Sequence, residues 1–223
     1  MVAEAAGFFE LLMFRSPLTI NWREGLGGHI IMHVALGDIS TIRTGTVFRD
    51  KSPQPTPYGN VFSLTIKDLV ASWPPDINSL DRIVVDDTLL KNCVNFGEVL
   101  IPSRGDYYPA RFASFHDHLV LAVGQINLIS PSPHILGTYL SWYLNQPEAQ
   151  RQIKRVLTGT NIRALTKPTL QSILIAVPSL NVQEEIAALQ NLWLESKMRK
   201  ERLLRLEELE IEETCRTLSL SSS

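Results

Sequence analysis

The chain has 223 residues, 44% hydrophobic and 20% charged, which supports a sizeable core and argues against a disordered chain. Its formal net charge of −2 lacks the overall basic footprint usual in nucleic-acid-binding proteins. The acidity is local, however: there are 15 Lys/Arg against 14 Asp/Glu through Leu180, and 6 against 9 from Asn181 onward. A near-neutral body leaves room for DNA binding through a local patch. Cys93 and Cys215 lie far apart and suggest no disulfide framework. No apolar stretch approaches the roughly 20 residues of a membrane span. The opening "AAGFFELLMF" is interrupted by Glu10 and has no basic region before it, so it reads poorly as a signal peptide. The cytoplasm is the expected compartment.

Residues 1–33 carry no clear periodicity, and their role is left open. From "HVALGDISTIRTGTVFRD" onward, short β-branched runs alternate with turn residues. "VFRDKSPQPTPYGN", with three prolines and a glycine, is an exposed loop. "VFSLTI" and "RIVVDD" are short strands separated by the turn "ASWPPDINSLD". "VNFGEVLIPSRGDYYPARFASF" reads as strand, loop, strand, and "HLVLAVGQINLISPSP" adds one or two buried strands. The period then lengthens. Ile135, Tyr139, Trp142 and Tyr143 share a helical face, and Pro147 suits the first turn of a second helix that Gly159 would end. "IRALTKPTLQSILIAVP" returns to extended structure, with a helical turn near "KPTLQSI".

The last segment predicts a long helix over 181–217. Asn181 is a good N-cap, with Glu184 completing a capping-box pattern, and Pro178 stops the preceding strand. Val182, Ile186, Leu189 and Trp193 make one apolar stripe, which polar residues from Glu195 to Arg202 interrupt. Leu203, Leu204, Leu206, Leu209 and Ile211 resume it. Such a helix either packs on its own domain or leaves it to pair with another helix. Residues 218–223 read as a frayed tail. The expected fold class is α+β: a mixed, β-rich domain over 1–180 with short helices, followed by one long, coiled-coil-like C-terminal helix.

Catalytic constellations are missing. His116 and His118 in "FHDH" have a spacing zinc can use, but no cluster supplies further ligands. "WPPD" has Trp where amino-methyltransferases carry Asp or Asn, and no Gly-rich cofactor loop accompanies it. Fragments that resemble a nuclease signature, Pro75–Asp76 and Glu195–Lys197, are too far apart to share a Mg²⁺ site. There is no nucleophile elbow and no Walker loop. The reading is recognition rather than catalysis, with no catalytic residue, metal or cofactor. The best recognition element is "PSRGDYYPAR". Arg104 and Arg111 are suited to guanine edges, and Tyr107 and Tyr108 to phosphates or stacking. The plainer alternative is a polar β-connection whose tyrosines pack on the domain. Arg43, Arg49 and Lys51 are candidate phosphate contacts, with solvated surface charge as their alternative.

The order of "VALGDISTIRTG", "FGEVLIPSRGDYYPA", "LGTYLSWYLNQPEAQRQI" and "LTGTNIRALTKPTLQSILIAVPSLNVQEEIAAL" resembles the specificity subunit of type I restriction–modification systems, over roughly residues 34–205. That resemblance implies a target recognition domain before Pro178 and a conserved spacer helix after it. It also implies a non-catalytic subunit that binds double-stranded DNA at a bipartite site, together with methyltransferase subunits and, through them, the restriction subunit. Family members usually carry two such domains and two helices, whereas this sequence has one of each. The expectation that follows is a half-subunit that homodimerises through the helix, with Val182, Ile186, Leu189, Trp193, Leu203 and Leu206 as candidate interface residues, or a truncated remnant. The rival from another class is a scaffold protein whose helix docks a partner without reading DNA.

Overall fold

The computed structural model describes residues 23–24, 30–48, 53–158 and 164–221. They form two compact units, Met1–Gln183 and Glu184–Ser223.

The body is built on three small sheets. β1 (Arg23–Glu24), β2 (Ile30–Ala35) and β10 (Leu174–Val177) form the first, with β2 central and all pairs antiparallel. β3 (Ser40–Thr44), β9 (Ile126–Pro131), β6 (Val99–Pro102) and β7 (Arg111–Phe112) form the second, in that order. β5 (Arg82–Ile83), β4 (Val61–Leu64) and β8 (Val120–Ala122) form the third, in which β4 and β8 run parallel.

Strand periodicity explains the core. Successive side chains point to opposite faces, so Leu64, Val120 and Ala122 face Leu100, Ile126 and Leu128 in the main cluster. Leu121 and Val61 turn the other way, onto Ile83, Val85 and Cys93. A parallel pair covered on both faces reads as an unbroken apolar run, as "VLA" in β8 does. Burial pushes the Cys93 thiol up, against the opposing effect of nearby Arg43.

Short helices close the open sides. α1 (Ile66–Val70) starts at Thr65, whose N–H and hydroxyl both donate to the Asp68 carboxylate, at 2.9 and 2.6 Å. α2 (Asp87–Leu90) starts at Asp86, which accepts from the N–H groups of Thr88 and Leu89. α3 (Gly137–Leu144) and α4 (Pro147–Thr158) break where Pro147 was expected to begin a new helix. Gly159, its expected end, lies outside the described residues, as do Arg49 and Lys51 and most of 1–33. The helical turn in "KPTLQSI" is α5 (Lys167–Gln171). The Tyr139 hydroxyl in α3 donates to the Ala176 carbonyl at 2.7 Å. The Gln152 amide in α4 both donates to and accepts from the Leu174 backbone, at 3.0 and 2.9 Å.

α6 spans Leu180–Ser221, 42 residues, or about 63 Å at 1.5 Å per residue. It corrects two expectations. The helix continues through 218–221, where a frayed tail was expected. It also begins before Asn181: the Gln183 N–H donates to the Ser179 carbonyl at 3.0 Å, which places Asn181 inside the first turn rather than at the cap. The physical reason is Gln183. Its side chain is fully buried, accepts from the Leu136 N–H at 2.9 Å, and donates to the carbonyls of Pro178 and His134 at 2.9 and 3.1 Å. Those three bonds fix the phase of the first turn, and the Asn181–Glu184 pair has no part in it.

Candidate nucleic-acid interface

The hairpin β6–β7 carries the recognition loop, residues 103–110. Its return arm is held from behind by α3 and α4. The Ala110 N–H donates to Asn145 Oδ1 at 3.0 Å, and the Ala110 carbonyl accepts from Asn145 Nδ2 at 2.7 Å. Gln150 Nε2 donates to the Tyr108 carbonyl at 3.0 Å. The outgoing arm turns at Gly105, where φ of 122° lies in the region that favours glycine and open space surrounds the missing Cβ.

This arrangement separates the predicted residues into two groups. Arg104 and Tyr107 are exposed, Tyr107 at 58%, and no hydrogen bond or ion pair to a described residue holds the Arg104 guanidinium. Tyr108, next in sequence, is 4% exposed and packs inward, so it is a core residue rather than a reader. Arg111 is also spent on the fold. Its guanidinium donates to the carbonyls of Leu69 and Ala71 at 3.1 and 3.0 Å and lies 6.0 Å from the Trp73 ring centre. Burial pulls its pKa below the ordinary arginine value, with Tyr107 acting in the opposite sense.

Arg43 is likewise committed. It donates to both Glu98 carboxylate oxygens, at 3.3 and 2.7 Å, and to the carbonyls of Asn92 and Cys93 at 2.9 and 3.0 Å. Glu98 also accepts from the Ser130 hydroxyl at 2.6 Å and the Asn95 N–H at 2.8 Å. Arg43 therefore closes a buried polar network instead of offering itself to phosphate. Glu98, beside a glycine, and Gln183, the first of the polar run Gln183–Glu185, went unnoticed because nothing in their local spacing marks them for burial.

The "FHDH" histidines do not converge. The His116 ring stacks on Phe96 at 4.1 Å between centres, and His118 meets Phe62 edge-on at 5.4 Å.

On α6, every described side chain from Asn191 to Leu220 is exposed. Leu189, Trp193, Leu203 and Leu206 present 54–67% of their surface, whereas Val182 and Ile186 are half-buried. The polar gap in the stripe is filled by pairs one helical turn apart, Glu195 with Arg199 at 3.2 Å and Lys197 with Glu201 at 3.7 Å. Among the described residues, no helix is long and apolar enough to cross a membrane.

This fold, an α+β body followed in sequence by a long helix, is similar to that of solved chains from type I restriction–modification systems. The HsdS subunit from Thermoanaerobacter tengcongensis superposes with a TM-score of 0.55 at 19% identity, over 87% of this chain and 45% of that one. A chain from a structure describing complex assembly and conformational transition of a type I restriction–modification system gives 0.56 at 20% identity, over 94% and 50%. The S subunit from M. genitalium gives 0.52 at 15%, over 76% and 41%. At these identities the likeness is one of fold, and the chain spans about half the length of the structures it matches. A search of curated proteins finds no match. The sequence profile of the type I restriction modification DNA specificity domain matches residues 31–208, and the chain belongs to that family.

Proposed function

We propose that this chain reads DNA sequence for a type I restriction–modification complex. It is itself non-catalytic, and it works in the cytoplasm by directing methyltransferase subunits, and through them the restriction subunit, to a bipartite site. The observation that carries this reading is the family match, which runs across the body and into the helix. Residues up to 180 form the recognition domain, and α6 forms the spacer that meets partners. The exposed Arg104 and Tyr107 supply the base-reading chemistry at the hairpin tip, since arginine binds guanine bidentately in the major groove. The exposed apolar stripe of α6 supports pairing with the same helix of a second copy, a symmetric arrangement whose target would be palindromic and split.

Expressing the full chain with a methyltransferase subunit and mapping modified bases across a genome tests the reading. A recurring bipartite motif supports it, and modification without sequence preference overturns it. A palindromic motif supports the two-copy arrangement, whereas a strict monomer by light scattering at high concentration removes it.

A further inference from the structure

Three separate segments meet at the open end of the β6–β7 hairpin. The Ser103 N–H donates to the Gln125 carbonyl at 2.8 Å, and the Ser103 carbonyl accepts from the Leu165 N–H at 2.8 Å. Arg104 forms an antiparallel bridge with Ala164. Beneath them the Asn127 side-chain amide, buried in β9, donates to the Leu165 carbonyl at 2.8 Å, and Leu165 itself is fully buried. The junction is therefore anchored in the core.

Exposed side chains leave it from each segment: Arg104 and Tyr107 from the hairpin, Gln125 from the turn into β9, and Lys167 from the start of α5. Gly124, beside Gln125, has φ of 80° with open space around it, so the turn that presents Gln125 is as specific as the one at Gly105. Hydrogen-bonded segments lie about 5 Å apart and consecutive Cα atoms about 3.8 Å apart. The four side chains thus spring from a patch on the order of 15 Å across, the rise of about four base pairs at 3.4 Å each.

Gln150, Gln152 and Gln183 are each fastened to backbone groups, whereas neither Gln125 nor Lys167 makes a side-chain hydrogen bond or ion pair to a described residue. No described residue takes up their side-chain polar groups. A glutamine amide, with one donor and one acceptor face, matches the N6/N7 edge of adenine. A lysine ammonium serves as a point charge for a phosphate, positioning the duplex without reading it. The geometry points to Gln125 as a further specificity-determining residue and Lys167 as a phosphate anchor of the same surface, an assignment that rests on the DNA-reading function proposed above.

The test is selection from a randomised duplex library by the full chain assembled with its methyltransferase subunit, with thermal unfolding confirming that each variant is folded. Gln125→Ala should relax the preference at one base pair by about 5- to 150-fold and leave the others intact. Gln125→Glu should move that preference from adenine toward cytosine, whose N4 donates to a carboxylate, a shift that lost structure would not produce. Lys167→Ala should keep the motif, weaken binding to all sequences alike, and lower the salt slope of log K by about 1. If Arg104→Ala changes the motif while the Gln125 and Lys167 variants match the parent, the assignment is overturned and the DNA-reading function stands. If the parent assembly selects no motif, both fall.

Discussion

Arg43 and Glu98 meet at 2.7 Å, 55 residues apart in sequence, and the rest of their polar atoms are taken up by the backbone of 92–95 and by Ser130. The carboxylate is almost fully buried, while the arginine side chain keeps a third of its exposure. Removing one partner of a buried pair costs more than the pair contributes, because the other charge is left uncompensated. Arg43→Ala should lower stability by about 2–3 kcal/mol in denaturant unfolding, at the low end for a buried pair because of that residual exposure. DNA affinity per folded molecule should be unchanged. A selective loss of DNA binding at full stability would return Arg43 to the phosphate-contact role.

Neighbouring residues in the hairpin separate more sharply. Arg104→Ala and Tyr107→Ala should change stability by no more than about 0.5 kcal/mol, as exposed positions do, while altering the selected motif. Tyr108→Ala should cost about 3 kcal/mol through the cavity it leaves. Arg111→Lys should also destabilise, because an ammonium cannot span two carbonyls and lie against Trp73 as a planar guanidinium does. Thermal unfolding of all four, alongside motif selection, checks the division.

Gln183 fills three hydrogen-bonding positions with one buried amide. Gln183→Ala would strand the Leu136 N–H and two carbonyls, at a cost of about 2–4 kcal/mol in urea unfolding. Asn181→Ala should be close to neutral, whereas a working N-cap there would cost about 1 kcal/mol.

The two-copy arrangement predicts a sharp response on α6. Leu203→Arg with Leu206→Arg places charge on the exposed stripe and should shift sedimentation from the paired species to the monomer, leaving the unfolding of the body as in the parent. Unchanged sedimentation of a paired species would move the contact elsewhere.

Alkaline pH offers a further check. Burial raises the Tyr139 hydroxyl well above its ordinary value of 10, and Tyr143 is raised for the same reason first. A group whose folded pKa is raised contributes stability that is complete below its unfolded pKa and is lost as pH rises beyond it. Stability should therefore decline from about pH 10 upward. Tyr139→Phe should flatten that decline, at the cost of the hydrogen bond to Ala176. Denaturant midpoints between pH 8 and 11 measure both.

What the sequence disclosed follows from the range of the forces involved. The strands around Val61, Val99 and Ile126, the break at Pro147 and the strand "LIAV" are legible because alternation, proline and β-branching act within a few residues. The fates of Arg43 and Arg111 were not, because their partners, Glu98 and the Leu69–Ala71 backbone, come from distant segments. Tyr107 and Tyr108 read alike in sequence, and only the loop's return path along α3 and α4 turns one outward and the other in. The capping pattern at Asn181 was chemically sound and lost to a stronger tertiary claim two residues away, at Gln183.

The pairing of β2 with β10, Met32 opposite Val177 and Ala35 opposite Leu174, also bears on how the protein comes into being on the ribosome. Among the described strands, the first sheet joins the earliest and latest of the body, so its central strand must wait, with one edge unpaired, until nearly the whole domain has been synthesised. Loop closure over that distance is costly and slow. During synthesis an exposed β2 edge invites pairing with other nascent chains. The sequence that follows β10 is the helix itself, so the body can close only as α6 is leaving the tunnel.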